Sequence, residues 1–354
     1  MPKQLHLRGY EFIERWRDTL YLAAQECAKR KRVKIYFVSF LSNTPAHVAL
    51  AESGHSIKID KKDDYWVAHL SEKKADKTVR VDFGIFKSGV NAWTLFTLTE
   101  SNWRENVLLH LVRSLSPDFS LPYLSSADIR QLFQNLEEDD AVEIVVNKAV
   151  AYSYRREGQI SFKKEPFQDV FNRAEHESMF VDKVDFSVHG QTSLHAFVSR
   201  NGTAKFIRGD IEVFLNKILN AVLNTSSRKH EVFQQAARRA GEIAVSPVDI
   251  DFGQSVFHGR GDNLTFLSSL DQMTRSGIAV MHENPYIHVS LIDFFDGSSF
   301  DIFATSPNSV TIIPQVDASA FSLNRLCNHI FENFREGVIT RPQPKSWQLA
   351  DVLT

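Results

Sequence analysis

The stretch TVRVDFGIFKSGVNAWTLFT, residues 78–97, decides the fold class. Val79, Val81, Phe83 and Ile85 fall at every second position, as do Trp93 and Leu95 beyond Ser88-Gly89. Period-two alternation on both sides of a glycine turn is the mark of antiparallel strands with one covered face. A helix follows near Ser101, and Val107, Leu108, Leu111, Val112 and Leu115 form the single apolar stripe that supplies the cover.

The same order recurs twice downstream. Val184, Phe186 and Val188 alternate, then Leu194, Phe197 and Val198, with a turn at Asn201-Gly202 and a helix after Asp210. Ile287, Val289 and Leu291 pair across Asp296-Gly297 with Phe300, Ile302 and Phe303, Val310 to Ile313 add a strand, and a helix starts near Phe321. Ile211, Phe214, Leu215, Ile218, Leu219 and Val222 share one helical face, as do Leu323, Leu326, Cys327, Ile330, Phe331 and Phe334. Asp210 and Ser101 have the side chains of N-caps, and Gly337 that of a stop. The expected fold is α+β: three consecutive antiparallel β-meander-plus-helix units whose sheets are covered by helices. Side-chain identity is not shared among the three, so the sequence leaves duplication and recurrence equally open.

Around these units the pattern predicts an opening helix over 8–29 and a strand from Ile35 to Leu41. An irregular polar excursion fills residues 43–63, and a strand follows from Tyr65 to Leu70. Ser116-Pro117 and Leu121-Pro122 break the pattern before a helix at Ser126 to Leu136, and Glu137 to Asp140 close the first unit. Val142 to Tyr154 is apolar and β-branched enough for a central strand; a helix near Phe167 to Ala174, a loop at Asn224 to Ser227 and a helix at Lys229 to Ala240 come after it. The resulting division is 1–140, 141–245 and 246–340, with an extended tail over 341–354 that holds Pro342 and Pro344.

With 354 residues the chain exceeds the usual single core, and its formal charge of −2 fits neither a polycation nor an acidic disordered tail. Any electrostatic partner is met by local patches. Cys27 and Cys327 lie on apolar stripes, which offers no disulfide framework and suits a reducing cytoplasm. Charged residues from Arg8 to Asp18 interrupt any signal-peptide core, and no stretch approaches the roughly 18 apolar residues of a membrane span.

Phosphate-cradling, zinc-binding and nucleophile-elbow motifs are absent from the sequence. Asp64, Glu72 and Lys74 form the nearest pattern to a Mg²⁺-dependent nuclease core, two carboxylates for the ion and a lysine for the phosphate, in a run that also reads as a charged turn. His282 and His288, with Glu283, offer ligands for a transition metal but no firm third one. His258, Arg260 and Asp262 bracket Gly259 and Gly261 in a loop that fits an anion or a tight turn, and the Arg-Gly-Asp tripeptide there is coincidence in a chain without an export signal.

Basic clusters are the feature that repeats. Lys29, Arg30, Lys31, Arg32 and Lys34 make one. Arg155, Arg156, Lys163 and Lys164, interleaved with Tyr152, Tyr154 and Phe162, make a second. Arg228, Lys229, His230, Arg238 and Arg239 make a third. Cations neutralise phosphates and aromatics stack on unpaired bases, so these clusters fit nucleic acid; they also fit solvated faces balanced by nearby acids. The sequence therefore points to a non-enzymatic binding or accessory subunit of a multi-component intracellular system, nucleic-acid processing or defence being a guess. It would recognise a protein partner or nucleic acid, with no membrane partner and no cofactor identified. The alternative is a divergent nuclease or phosphohydrolase using Mg²⁺, and the third reading is a scaffold that binds protein alone.

Overall fold

A computed structural model describes residues 12–74, 77–140, 142–238 and 245–341. Of the tail expected over 341–354, residues 342–354 lie outside the described residues, as does Arg239. The fold is α+β, with antiparallel strands in two sheets and helices on their faces. Two compact units, 1–228 and 229–354, divide the chain.

The first unit opens with α1 (Trp16–Lys29), β1 (Lys34–Leu41), α2 (Ala46–Glu52), β2 (Ile57–Lys61), β3 (Trp66–Lys74), β4 (Lys77–Lys87), β5 (Ala92–Thr99), α3 (Asn102–Ser114) and α4 (Ser126–Asp140). It continues with β6 (Glu143–Ser153), β7 (Gln159–Phe162), β8 (Glu165–Pro166), α5 (Phe167–His176), β9 (Met179–His189), β10 (Leu194–Ser199), β11 (Thr203–Gly209), α6 (Ile211–Val213) and α7 (Asn220–Ala236), whose residues from Lys229 on are counted with the second unit. A π-helical stretch, Phe214–Leu219, joins α6 to α7. The 11-stranded sheet runs β2-β3-β4-β5-β1-β11-β10-β9-β6-β7, with β8 beside β6.

The first two meanders are thus not separate units. Strand β1 pairs with β5 from Lys34↔Thr99 to Leu41↔Ala92 on one side and with β11 from Ile35↔Phe206 to Val38↔Thr203 on the other. The physical reason is burial. Ile35 and Phe37 enter one core with α1, α4, α5 and the α6–α7 helix; Tyr36, Val38 and Phe40 enter another with α2 and α3. A strand wetted on neither face and flanked by apolar neighbours is a sheet centre, and the boundary expected at Asp140 disappears into it. A half-buried ion pair, Lys205 Nζ to Glu105 Oε2 at 2.6 Å, ties α3 of the first meander to β11 of the second.

Other expectations change locally. The opening helix starts at Trp16, and residues 12–15 before it are not helical; the start expected at residue 8 lies outside the described residues. Residues 43–63 hold α2 and β2 because Ala46, Ala49 and Leu50 make a short apolar stripe. The loop expected at Asn224 to Ser227 is helical, with Ser226 Oγ donating to Val222 O at 2.6 Å inside the helix. Asp210 caps as expected, accepting from Glu212 N and Val213 N, whereas the Ser101 side chain makes no cap bond. Gly202 turns with φ of 73°, and a Cβ there would lie 2.2 Å from the Pro122 ring.

The second unit contains β12 (Val248–Asp251), α8 (Arg260–Asp271), β13 (Ser276–His282), β14 (Ile287–Asp293), β15 (Ser299–Ser306), β16 (Ser309–Pro314), α9 (Ala320–Asn333) and β17 (Val338–Thr340). Its sheet runs β13-β14-β15-β16-β12-β17. Phe300, Ile302 and Ala304 face the core, so Phe303 points the other way and stacks on His288. Asp293, fully buried, accepts from Arg325 Nε at 2.8 Å, Ser322 Oγ at 3.0 Å and Phe295 N at 3.0 Å, which fastens the β14–β15 turn to α9.

Candidate functional site

Strands β2, β3 and β4 alternate faces, so their inward side chains are Ile57, Ile59, Ala68, Leu70, Val81 and Phe83. The opposite face carries Lys58, Asp60, His69, Arg80 and Asp82. Register brings these together: His69 stands opposite Lys58 on β2 and Asp82 on β4, and Asp60 and Arg80 lie on its diagonals. An open cleft of about 450 Å³ results, lined by His55, Ser56, Ile57, Lys58, Asp60, His69, Ser71 and Arg80.

His69 is the hub. Its Nδ1 lies 2.6 Å from Asp82 Oδ1 and its Nε2 lies 3.2 Å from Asp60 Oδ2. Arg80 Nη2 also comes within 2.7 Å of Nδ1, while Arg80 Nε donates to Asp82 Oδ1 at 2.7 Å. One ring nitrogen cannot donate to Asp82 and accept from Arg80 together, and the carboxylate is the stronger acceptor, so Nδ1–H belongs to Asp82. Lys58 Nζ sits 3.0 Å from Asp60 Oδ1. That lysine, followed by His69, holds the Asp60 carboxyl below the usual carboxylate range. Two carboxylates therefore orient Lys58, His69 and Arg80 at the cleft. At its edge His55 Nε2 lies 3.2 Å from Ser114 Oγ, which donates its own proton to Leu111 O at 2.8 Å, so His55 is the donor.

The candidates read from sequence are distributed differently. Asp64 accepts from Trp16 N at 2.9 Å at the start of α1. Glu72 and Lys74 stand opposite Val79 and Lys77 in the β3–β4 hairpin. Seven residues separate Asp64 from Glu72, and β3 alone carries the backbone roughly 20 Å from Trp66 to Glu72, too far for both carboxylates to share one Mg²⁺. Among the described residues no three His, Cys, Asp or Glu side chains are grouped to hold a metal ion. Burial pushes the Cys27 and Cys327 thiols up to about 12, which leaves both unreactive as nucleophiles.

His282 and His288 do meet, as a cross-strand pair of β13 and β14. His282 stacks on Tyr286 with centroids 4.0 Å apart, and His288 on Phe303 at 4.3 Å; His288 Nε2 stays 3.7 Å from Asp301 Oδ1. The glycine loop at 258–262 is the start of α8, where Asp262 accepts from His258 and Arg260 Nη2 reaches Glu283 Oε1 at 2.7 Å. Its arginine is thereby turned onto a carboxylate, away from an anion at the loop.

The first two basic clusters do not converge. Lys29 and Arg30 face Glu26, and Arg30 comes within 4.0 Å of Glu100. Ile35 aligns through Phe206, Ala196 and Phe186 with Val146. Arg155 and Arg156 lie beyond Ser153, roughly 23 Å further along β6. Lys163 and Lys164 return toward the Lys34 level, but β7 is five strand spacings from β1, about 24 Å. Arg156 lies over Tyr152 at 5.1 Å and near Asp182 at 3.9 Å; Phe162 is buried under Arg173 and is closed to a stacking base. Arg228 ends the first unit, and Lys229 and Arg238 belong to the second.

The sequence reading passed over His69, Lys58, Asp60, Arg80 and Asp82. Their signal is the polar half of the alternation itself: Lys58 and Asp60 two apart, and Arg80 and Asp82 two apart between Val79, Val81 and Phe83. No family model matches the chain, and no curated protein matches it in sequence.

Proposed function

We propose that the chain is a non-enzymatic binding protein, of the accessory-subunit kind, that takes the phosphate backbone of a nucleic acid in the β2–β4 cleft. The observation that carries this reading is the convergence of Lys58, His69 and Arg80 on one open cleft, held there by Asp60 and Asp82. Lysine and arginine are the usual phosphate ligands; Asp60 and Asp82 offset much of their charge but fix their direction, and ammonium and guanidinium carry more N–H donors than one carboxylate takes up. The volume suits a nucleotide, and the openness of the site lets a strand pass through. A general base needs a ring nitrogen aimed at its substrate; both nitrogens of His69 face carboxylates, which favours binding over turnover.

Fluorescence anisotropy with labelled single- and double-stranded DNA and RNA, across a salt series and with or without Mg²⁺, tests the reading. Affinity should fall as salt rises, without cleavage. The Lys58→Ala/Arg80→Ala protein should bind about ten-fold or more weakly for every sequence, with the salt slope lower by roughly two. Equal binding by the variant, or none by the unaltered chain, would overturn the proposal. Mg²⁺-dependent cleavage would favour the nuclease alternative.

A further inference from the structure

We infer that β13 is an interface edge through which a second copy of this chain adds its own β13. The strand, Ser276–His282, reads SGIAVMH and contains no Asp, Glu, Lys, Arg or Pro. On one side it pairs with β14 from Ser276↔Asp293 to His282↔His288; on the other, no strand of the described residues meets it. A bare row of amides and carbonyls is a template for another strand, and natural sheets blunt such rows with charge, proline or brevity.

The other three edges are blunted. Strand β2 carries Lys58, Asp60 and Lys61, β7 has four residues before Lys163 and Lys164, and β17 has three. Only β13 combines length with an uncharged sequence, and it is flanked by exposed apolar side chains. Val280 is 47 % exposed, Met281 64 % and, on the β14–β15 turn, Phe294 62 %. These residues surround one edge, which distinguishes them from the scattered apolar residues of an ordinary surface.

A second copy is the occupant that the sequence of the strand fits best. Antiparallel pairing about a two-fold axis through Ala279 sets Ile278 opposite Val280 of the second copy, a β-branched pair of the kind that stabilises sheets. It also sets Met281 opposite Gly277. The bulge between Val280 and His282 gives Met281 no partner on β14, and over Gly277 it would meet the Phe294 ring, which lies 3.2 Å from where a Cβ of Gly277 would be. No like charges oppose each other in this register.

Sedimentation equilibrium of the full chain over a concentration series decides the matter. The unaltered protein should reach the mass of a dimer, and Val280→Lys/Met281→Lys should remain a monomer throughout with an unchanged far-ultraviolet spectrum, since both side chains are exposed. Ala279→Cys, sitting on the axis, should form a covalent dimer on mild oxidation; Cys27 and Cys327 are buried and do not compete. A monomer at every concentration, a dimer indifferent to the two lysines, or the absence of the Ala279→Cys cross-link would each overturn the inference.

Discussion

At the scale of single residues, burial of polar side chains sets the pH response. His230 on α7 is buried, accepts from Gln234 Nε2 at 3.0 Å through its own Nε2, and has no partner at Nδ1. Desolvation lowers its pKa to about 4. The folded state therefore refuses a proton that the unfolded chain accepts near 6.5, so the contribution to stability is whole above that value. It is lost progressively as pH falls toward 4, by up to about 3 kcal/mol. Urea midpoints at pH 7.5 and pH 4.5 should thus differ less for His230→Leu than for the unaltered chain; an equal difference would remove His230 as the cause. The aromatic core shows the opposite economy at Gly84, where a Cβ would lie 2.1 Å from the Phe96 ring. Glycine there lets that ring lie flat over β4.

At the scale of elements, a helix start rests on its cap. Asp210 accepts two amides, Glu212 N at 2.8 Å and Val213 N at 3.2 Å, at the head of α6. Asp210→Ala should cost about 1 kcal/mol, read as a lower urea midpoint with unchanged slope. Ser101→Ala should cost much less, because that side chain makes no cap bond. The contrast explains what could be read in the sequence. Stripes such as Ile211, Phe214, Leu215 and Ile218, and alternations such as Val81, Phe83 and Ile85, are local and appear where expected. Strand β2 escaped because its alternate residues Lys58 and Asp60 are charged, and α2 because seven residues give barely one stripe. The site escaped for a different reason. His69 and Asp82 are thirteen residues apart and meet only through hairpin register, so no short motif contains them.

At the scale of the whole molecule, the decisive contact is non-local: β1 joins strands that the sequence presents as two independent meanders. Ile35 faces Phe206 from 171 residues away. Local periodicity predicts both strands but says nothing of their pairing, and only the two-sided burial of β1 closes the sheet. The continuity has a measurable consequence. Phe206 is buried against Phe214, with ring centroids 5.7 Å apart, in the core shared by both halves. Phe206→Ala should cost about 3–5 kcal/mol. If the first unit opens as one cooperative body, the slowest-exchanging amides of β4 and β5 should lose protection by the same free energy as those of β6 and β9. The lesion lies on the β11 side, so separate meanders would leave β4 and β5 at their original protection. Native-state hydrogen exchange on the variant distinguishes the two, and unequal loss would mean that β1 joins the halves geometrically without coupling their stability.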